Sequence, residues 1–247
     1  MLNDLRGQGM YRRKTHRALC IAWCCALVAL ADVATAKSQM TRTEKAACRA
    51  ALRIDAYGSE PLRAVTLPPQ AQCVPVIKRG LPTPDPNCTP GAINPTLTLQ
   101  VLTSRAFKTG CVRDEATSAE QKRKTYDWYR IRRPANNAGK HQICELDHFI
   151  SLEIGGADTL ENIWAQCGPS RRVVLSKRYF KQKDIVENYL AWLVKNRRMF
   201  LDEAQRGIAD DWTQYLDDAR AACPGGQCRD KNLPPLPTFF GIPISSR

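Results

Sequence analysis

The sequence predicts an α+β fold, disulfide-stabilised, in which one short β-hairpin packs with additional helices. Three observations predict it. Residues 144–166 read as strand, glycine turn and strand, with Gly155 and Gly156 at the turn. Two later segments carry apolar residues at helical spacing: Ile185, Tyr189 and Leu193 within 182–197, and Ala204, Ile208, Trp212 and Leu216 within 201–222. Cysteines are frequent and, beyond the first 36 residues, even in number.

The amino-terminal segment explains that restriction. Arg12, Arg13, Lys14 and Arg17 precede an unbroken apolar run over 18–31, and Ala34, Thr35 and Ala36 follow it. This is the order of a signal peptide. The run spans 14 residues, whereas a bilayer core needs about 20, so stable membrane insertion after cleavage is not expected. Taking 1–36 as leader leaves Cys48, Cys73, Cys88, Cys111, Cys144, Cys167, Cys223 and Cys228. An exported chain with eight cysteines and no CxxC pair among them reads as four bridges rather than zinc ligation, and places the protein in the periplasm or outside the cell.

The mature chain divides into an amino-terminal helix with a proline-rich connector (37–85), a domain bearing the chemistry (86–222) and a proline-rich tail (223–247). Thr41 and Glu44 form a capping box for a helix over 41–57, which Gly58 would stop. From 61 to 95 prolines such as Pro68, Pro69, Pro75, Pro82, Pro84 and Pro86 exclude long helices and central strands. Leu97, Leu99 and Val101 alternate with Thr98 and Gln100, which predicts a half-buried strand over 96–103. Ser118 and Gln121 open a basic helix ending before Pro134. After Cys223 the tail holds five prolines and little periodicity, so it is expected to be extended or mobile.

The chemistry lies in Asp147-His148-Phe149-Ile150-Ser151-Leu152-Glu153-Ile154-Gly155-Gly156, followed by Asn162-Ile163-Trp164-Ala165-Gln166. An isolated Asp-His pair is usually a surface acid beside a satisfied histidine. Here it stands at a fixed distance from a Gly-Gly turn and an Asn-Ile-Trp run. The combination resembles the HNH endonucleases, and the likeness extends over about residues 88–215 through Cys88-Thr89-Pro90-Gly91-Ala92, the basic 126–133 region, Lys183-Asp184 with Glu187, and Trp212.

The resemblance implies a ββα-metal core that grips one divalent cation (Mg, Mn, Ni or Zn). It implies that Asp147 binds the metal, that His148 addresses a water, and that Asn162 ties the histidine loop in place. The residue types suit the reaction independently. Phosphodiester hydrolysis needs a base for water and a cation to neutralise the phosphate, both rigidly placed. A neutral histidine serves as that base near pH 7, and beyond the leader only His141 and His148 remain. One departure stands out. HNH domains supply a last metal ligand, His or Asn, from the closing helix, but residues 170–180 contain neither, which leaves Glu187 or Asp184 for that position, or a cation bound more weakly through water.

The charge is +13, and +10 without the leader's five bases and two acids. Such a balance favours polyanions. Two basic segments flank the hairpin: Arg132 and Arg133 belong to the first, while Arg171, Arg172, Lys177 and Arg178 belong to the second. Nucleic acid, DNA first, is the expected partner, held through its backbone with little sequence specificity and steep salt dependence. An immunity or envelope partner is left open.

The hairpin also predicts a bridge. Cys144 and Cys167 lie equidistant from a turn at Gly155-Gly156 and so face one another across the strands. Cys223 with Cys228, Cys88 with Cys111, and Cys48 with Cys73 are the sequence-local pairings that remain. Two further readings compete: a nuclease-derived protein that binds nucleic acid or other envelope polyanions without turnover, and a basic envelope protein whose Asp-His pair is coincidental.

Overall fold

The computed structural model describes residues 40–64 and 73–232, with 234, 238–239 and 242–243 from the tail. The leader and the rest of the tail lie outside the described residues.

Helix α1 (Arg42–Leu52) begins as expected. Thr41 Oγ1 accepts the Glu44 N–H at 3.2 Å, and the Thr41 N–H donates to Glu44 Oε2 at 2.7 Å. It ends earlier than Gly58, because Arg53 turns left-handed at φ 55° and closes the last turn onto the Arg49 carbonyl. Gly58 serves packing instead: a Cβ there would lie 2.8 Å from Asn94 Oδ1.

Strand β1 (Glu60–Pro61) is a short ribbon partner placed before a second hairpin formed by β2 (Val76–Lys78) and β3 (Leu81–Thr83). Strand β4 (Ala92–Ile93) pairs antiparallel with β1, and Ile93 also bridges to Gly156. The strand expected over 96–103 does not form. Thr98 caps helix α2 (Leu99–Leu102), its Oγ1 accepting from Val101 N, and the alternating pattern is spent differently. A single turn buries Leu97 and Leu102 together, against Ile54, Val112 and Leu152.

Helix α3 (Ala119–Trp128) opens with the Ser118–Gln121 capping box. Strands β5 (Cys144–His148) and β6 (Ile163–Cys167) then pair antiparallel, with Cys144 opposite Cys167 and His148 opposite Ile163. The register is the expected one, but the connection is not a tight glycine turn. Two short 3₁₀ turns, Leu152–Ile154 and Leu160–Asn162, occupy it. Gly155 adopts φ 84°, and a Cβ on Gly156 would fall 1.9 Å from the Ile150 carbonyl oxygen.

Helix α4 (Tyr179–Lys195) covers one face of the hairpin, where Trp164 packs with Val186 and Leu190. Tyr126 of α3 packs with Cys144 and Ala165 on the other. The segment expected as one helix over 201–222 is broken. Helix α5 (Leu201–Asp211) stops where Asp211 leaves helical geometry and accepts from Thr213 N at 3.0 Å; α6 (Leu216–Ala222) follows one 3₁₀ turn later. The four-residue apolar spacing still buries Ala204, Ile208, Trp212 and Leu216. In the tail, β7 (Thr238–Phe239) pairs with β8 (Ile242–Pro243).

Four disulfides staple these elements. Cys144–Cys167 and Cys223–Cys228 form as expected, while the other pairings are Cys48–Cys111 and Cys73–Cys88. The expected Cys48–Cys73 and Cys88–Cys111 bonds are therefore corrected: α1 packs on the 3₁₀ turn Thr109–Cys111, and Arg49 pairs with Glu115 at 2.9 Å, which carries Cys48 to Cys111 across a sequence separation of 63. Cys73 and Cys88 close the β2–β3 hairpin instead. Cys223 and Cys228 lie only five residues apart, so Cys223→Ser with Cys228→Ser should cost only about 2 kcal/mol by denaturant unfolding.

The fold is thus α+β and disulfide-stabilised. No helix among the described residues is long and apolar enough to cross a membrane. Four bridges belong to an oxidising compartment.

Candidate active site

Successive strand residues face opposite ways, so β5 directs Asp147 toward α4 and His148 toward α3. Each meets a buried partner there. His148 Nε2 lies 2.7 Å from Asp158 Oδ1, and Lys122 Nζ of α3 lies 2.8 Å from the same oxygen and 2.8 Å from Asp114 Oδ1. Asp158 is fully buried and also accepts the Asp114 N–H at 2.5 Å.

Burial pushes the His148 pKa below its ordinary value, against the pull of Asp158, and the charges of Arg113 and Lys122 push the same way. The ring is therefore neutral near pH 7. For Asp158, burial favours the neutral acid, but His148 and Lys122 more than reverse this and hold its pKa below the usual range. An ionised carboxylate only accepts, so Nε2 must carry the imidazole proton, which leaves the Nδ1 lone pair available.

Asp158 thus contributes stability above its unfolded pKa of about 3.8, and that contribution disappears as the pH falls through the lower folded value. Asp158→Asn should cost about 3 kcal/mol at pH 7 because it leaves a buried ammonium short of charge. Urea midpoints should converge on wild type only as the pH falls through that lowered value.

On the opposite face, Lys183 Nζ of α4 lies 2.8 Å from Asp147 Oδ2, donates to the His148 carbonyl at 2.8 Å and bonds Glu187 Oε1. Lys183 is fully buried, and although burial opposes its charge, Asp147 and Glu187 raise its pKa. Burial, with Asp147 and Asp184 nearby, raises the pKa values of Glu187 and Glu145, the latter to about 7. Glu145 is consequently partly protonated at neutral pH, while Glu187 keeps its ion pair with Lys183.

Despite facing opposite ways, Asp147 and His148 line one polar cleft of about 250 Å³, because β5 ends there and the chain turns. Glu145, Glu153, Asp184 and Glu187 share it. Asn162, fully buried, anchors the loop that forms its rim. Its Oδ1 accepts from Ile150 N at 2.8 Å, and its Nδ2 donates to the carbonyls of Ile150 at 2.9 Å and Ala157 at 2.8 Å.

The donors lining this cleft are hard oxygens, the kind Mg²⁺ or Mn²⁺ prefers, and the buried Asp147 Oδ2 lacks a well-aligned hydrogen bond. The chemistry of the set fits the implied cation. Its geometry is not gathered: among the described residues no three His, Cys, Asp or Glu side chains converge as ligands, and the Lys183 ammonium bridges Asp147 to Glu187.

The basic residues separate into two kinds. Arg132, Arg133, Arg172 and Lys177 are exposed, as is Arg171, whose Nη2 donates to the Asn136 carbonyl at 2.6 Å. Arg178 is buried, and its guanidinium donates to the carbonyls of Lys140, Gln142, Arg171 and Val173, so its charge holds loops together rather than facing solvent. Asp158, Lys122 and Lys183 were not legible as site residues. The first is one acid in a loop, and the lysines belong to basic runs that read as surfaces for a nucleic-acid backbone.

No protein-family model, no curated protein and no solved structure matches this chain.

Proposed function

We propose that this chain is an exported HNH-type endonuclease, with a ββα-like core of β5, β6 and α4, which hydrolyses nucleic-acid phosphodiesters in the periplasm or outside the cell with little sequence specificity. The observation that carries the reading is a neutral His148 whose Nε2 is committed to Asp158 while it lines a polar cleft with Asp147. His148 Nδ1 takes the proton of the attacking water, and Asp158, kept ionised by Lys122, stabilises the imidazolium that results. Asn162 keeps the rim of the cleft in register with β5. A divalent cation (Mg, Mn, Ni or Zn) held by Asp147 with Glu187 would supply charge neutralisation at the phosphate. Arg132, Arg133, Arg171, Arg172 and Lys177 would bind the backbone of the nucleic acid, DNA first.

A second reading, a nuclease-fold protein that binds nucleic acid or other envelope polyanions without turnover, is favoured by one contact: the Lys183 ammonium already pairs with Asp147 and Glu187. Oxidised mature protein incubated with supercoiled plasmid and each cation, with and without chelator, separates the two. Nicking that the chelator abolishes supports the enzyme; a salt-sensitive gel shift without nicking supports the binder and removes the catalytic reading.

A further inference from the structure

Beside the site just described lies a second cleft, of about 610 Å³, between α3 and the segment 133–146. Glu145 and Leu146 line both clefts, so the two adjoin along β5. Pockets of a few hundred Å³ hold molecules of drug or nucleotide size. Its walls are fixed in advance: Asn137 Oδ1 accepts from Ile143 N at 2.8 Å and Cys144 N at 3.0 Å, its Nδ2 donates to the Cys144 carbonyl at 2.8 Å, and the Cys144–Cys167 bridge stands behind.

Three groups in this cleft have no side-chain partner among the described residues. Arg123 and Arg133 have no carboxylate partner among the described residues. Tyr126 is only 4% exposed, yet its hydroxyl has no hydrogen-bond partner among them. The hydroxyl is not among the enclosed unpartnered polar atoms, so it opens to the cleft and is free to bond a ligand there. Burial raises the pKa of this phenol, with Arg133 opposing and Glu145 adding to the rise, so both charges stand near it. Apolar surface from Ala119, Pro134 and Ala135 completes the lining. Two guanidiniums suit a phosphate. Apolar side chains beside one free hydroxyl suit a base and sugar.

We infer that this cleft is a nucleotide subsite, in which Arg123 and Arg133 bind a phosphate and the Tyr126 hydroxyl bonds the attached nucleoside. The assignment rests on the endonuclease reading for its purpose: the subsite would seat the nucleotide next to the scissile phosphate and set its direction across the hairpin.

The test is calorimetric titration of the oxidised mature protein with deoxyadenosine 5′-monophosphate, deoxyadenosine and inorganic phosphate. The monophosphate should bind more tightly than either of its parts. Arg123→Ala and Arg133→Ala should each weaken it about tenfold, and Tyr126→Phe about fivefold. Lys195→Ala, an exposed lysine at the end of α4, should leave it unchanged. His148→Ala should also bind the monophosphate normally. No binding, equal affinity for phosphate and monophosphate, or indifference to the three substitutions would overturn the subsite. Normal binding without plasmid cleavage would instead remove the nuclease reading and leave the cleft a nucleotide site.

Discussion

Replacing His148 with Ala should reduce plasmid nicking by about 10²–10⁴-fold, the usual contribution of a positioned general base. The imidazole is neutral because burial disfavours its charge, and it is oriented because Nε2 donates to a carboxylate that cannot donate back. Asp158→Asn retains the ring but offers it an amide, which weakens the stabilisation of the imidazolium and lets the tautomer change. It should lose less activity than His148→Ala. Combining the two should add little to the histidine loss, because the pair acts as a unit. Full nicking by a folded His148→Ala protein, with its thermal midpoint near that of wild type, would remove the histidine from the mechanism.

Lys183→Met should destabilise the protein by about 3–5 kcal/mol, the typical cost of breaking a buried ion pair. The side chain is fully buried, so its removal leaves Asp147 and Glu187 without their ammonium and the His148 carbonyl without its donor. For a chain of this size the midpoint should fall by about 10 °C or more. Adding Glu187→Gln should recover part of the loss, which a double-mutant cycle would measure as coupling. The variant also tests the cation. With the ammonium gone, Mn²⁺ should raise the thermal midpoint of Lys183→Met more than that of wild type, through ligand binding to the native state. An equal shift in both proteins would show that the Asp147 and Glu187 carboxylates do not hold the ion.

Much of the framework was legible because its signals are local. Capping boxes at Thr41 and Ser118 satisfy backbone donors three residues away, and both appear in the structure. The register of the hairpin followed from alternation and symmetry about Gly155-Gly156, although a longer loop replaced the turn. Where the sequence misled, a competing local bond won. Thr98 capped a helical turn in place of a strand, and Asp211 captured Thr213 and broke a helix whose apolar spacing continued across the gap.

By itself the sequence determined the α+β class, the Asp147-His148-Asn162 motif, the Cys144–Cys167 clamp and the basic character of the chain, since each depends on residues adjacent in number or mirrored about one turn. Only the tertiary structure decided which charges meet. Lys122 reaches Asp158 from α3 and Lys183 reaches the His148 carbonyl across 35 residues, while Cys48 joins Cys111 across 63. Charged side chains of one kind look alike in a sequence. Burial then makes a partner obligatory for some of them, and packing selects which partner it is.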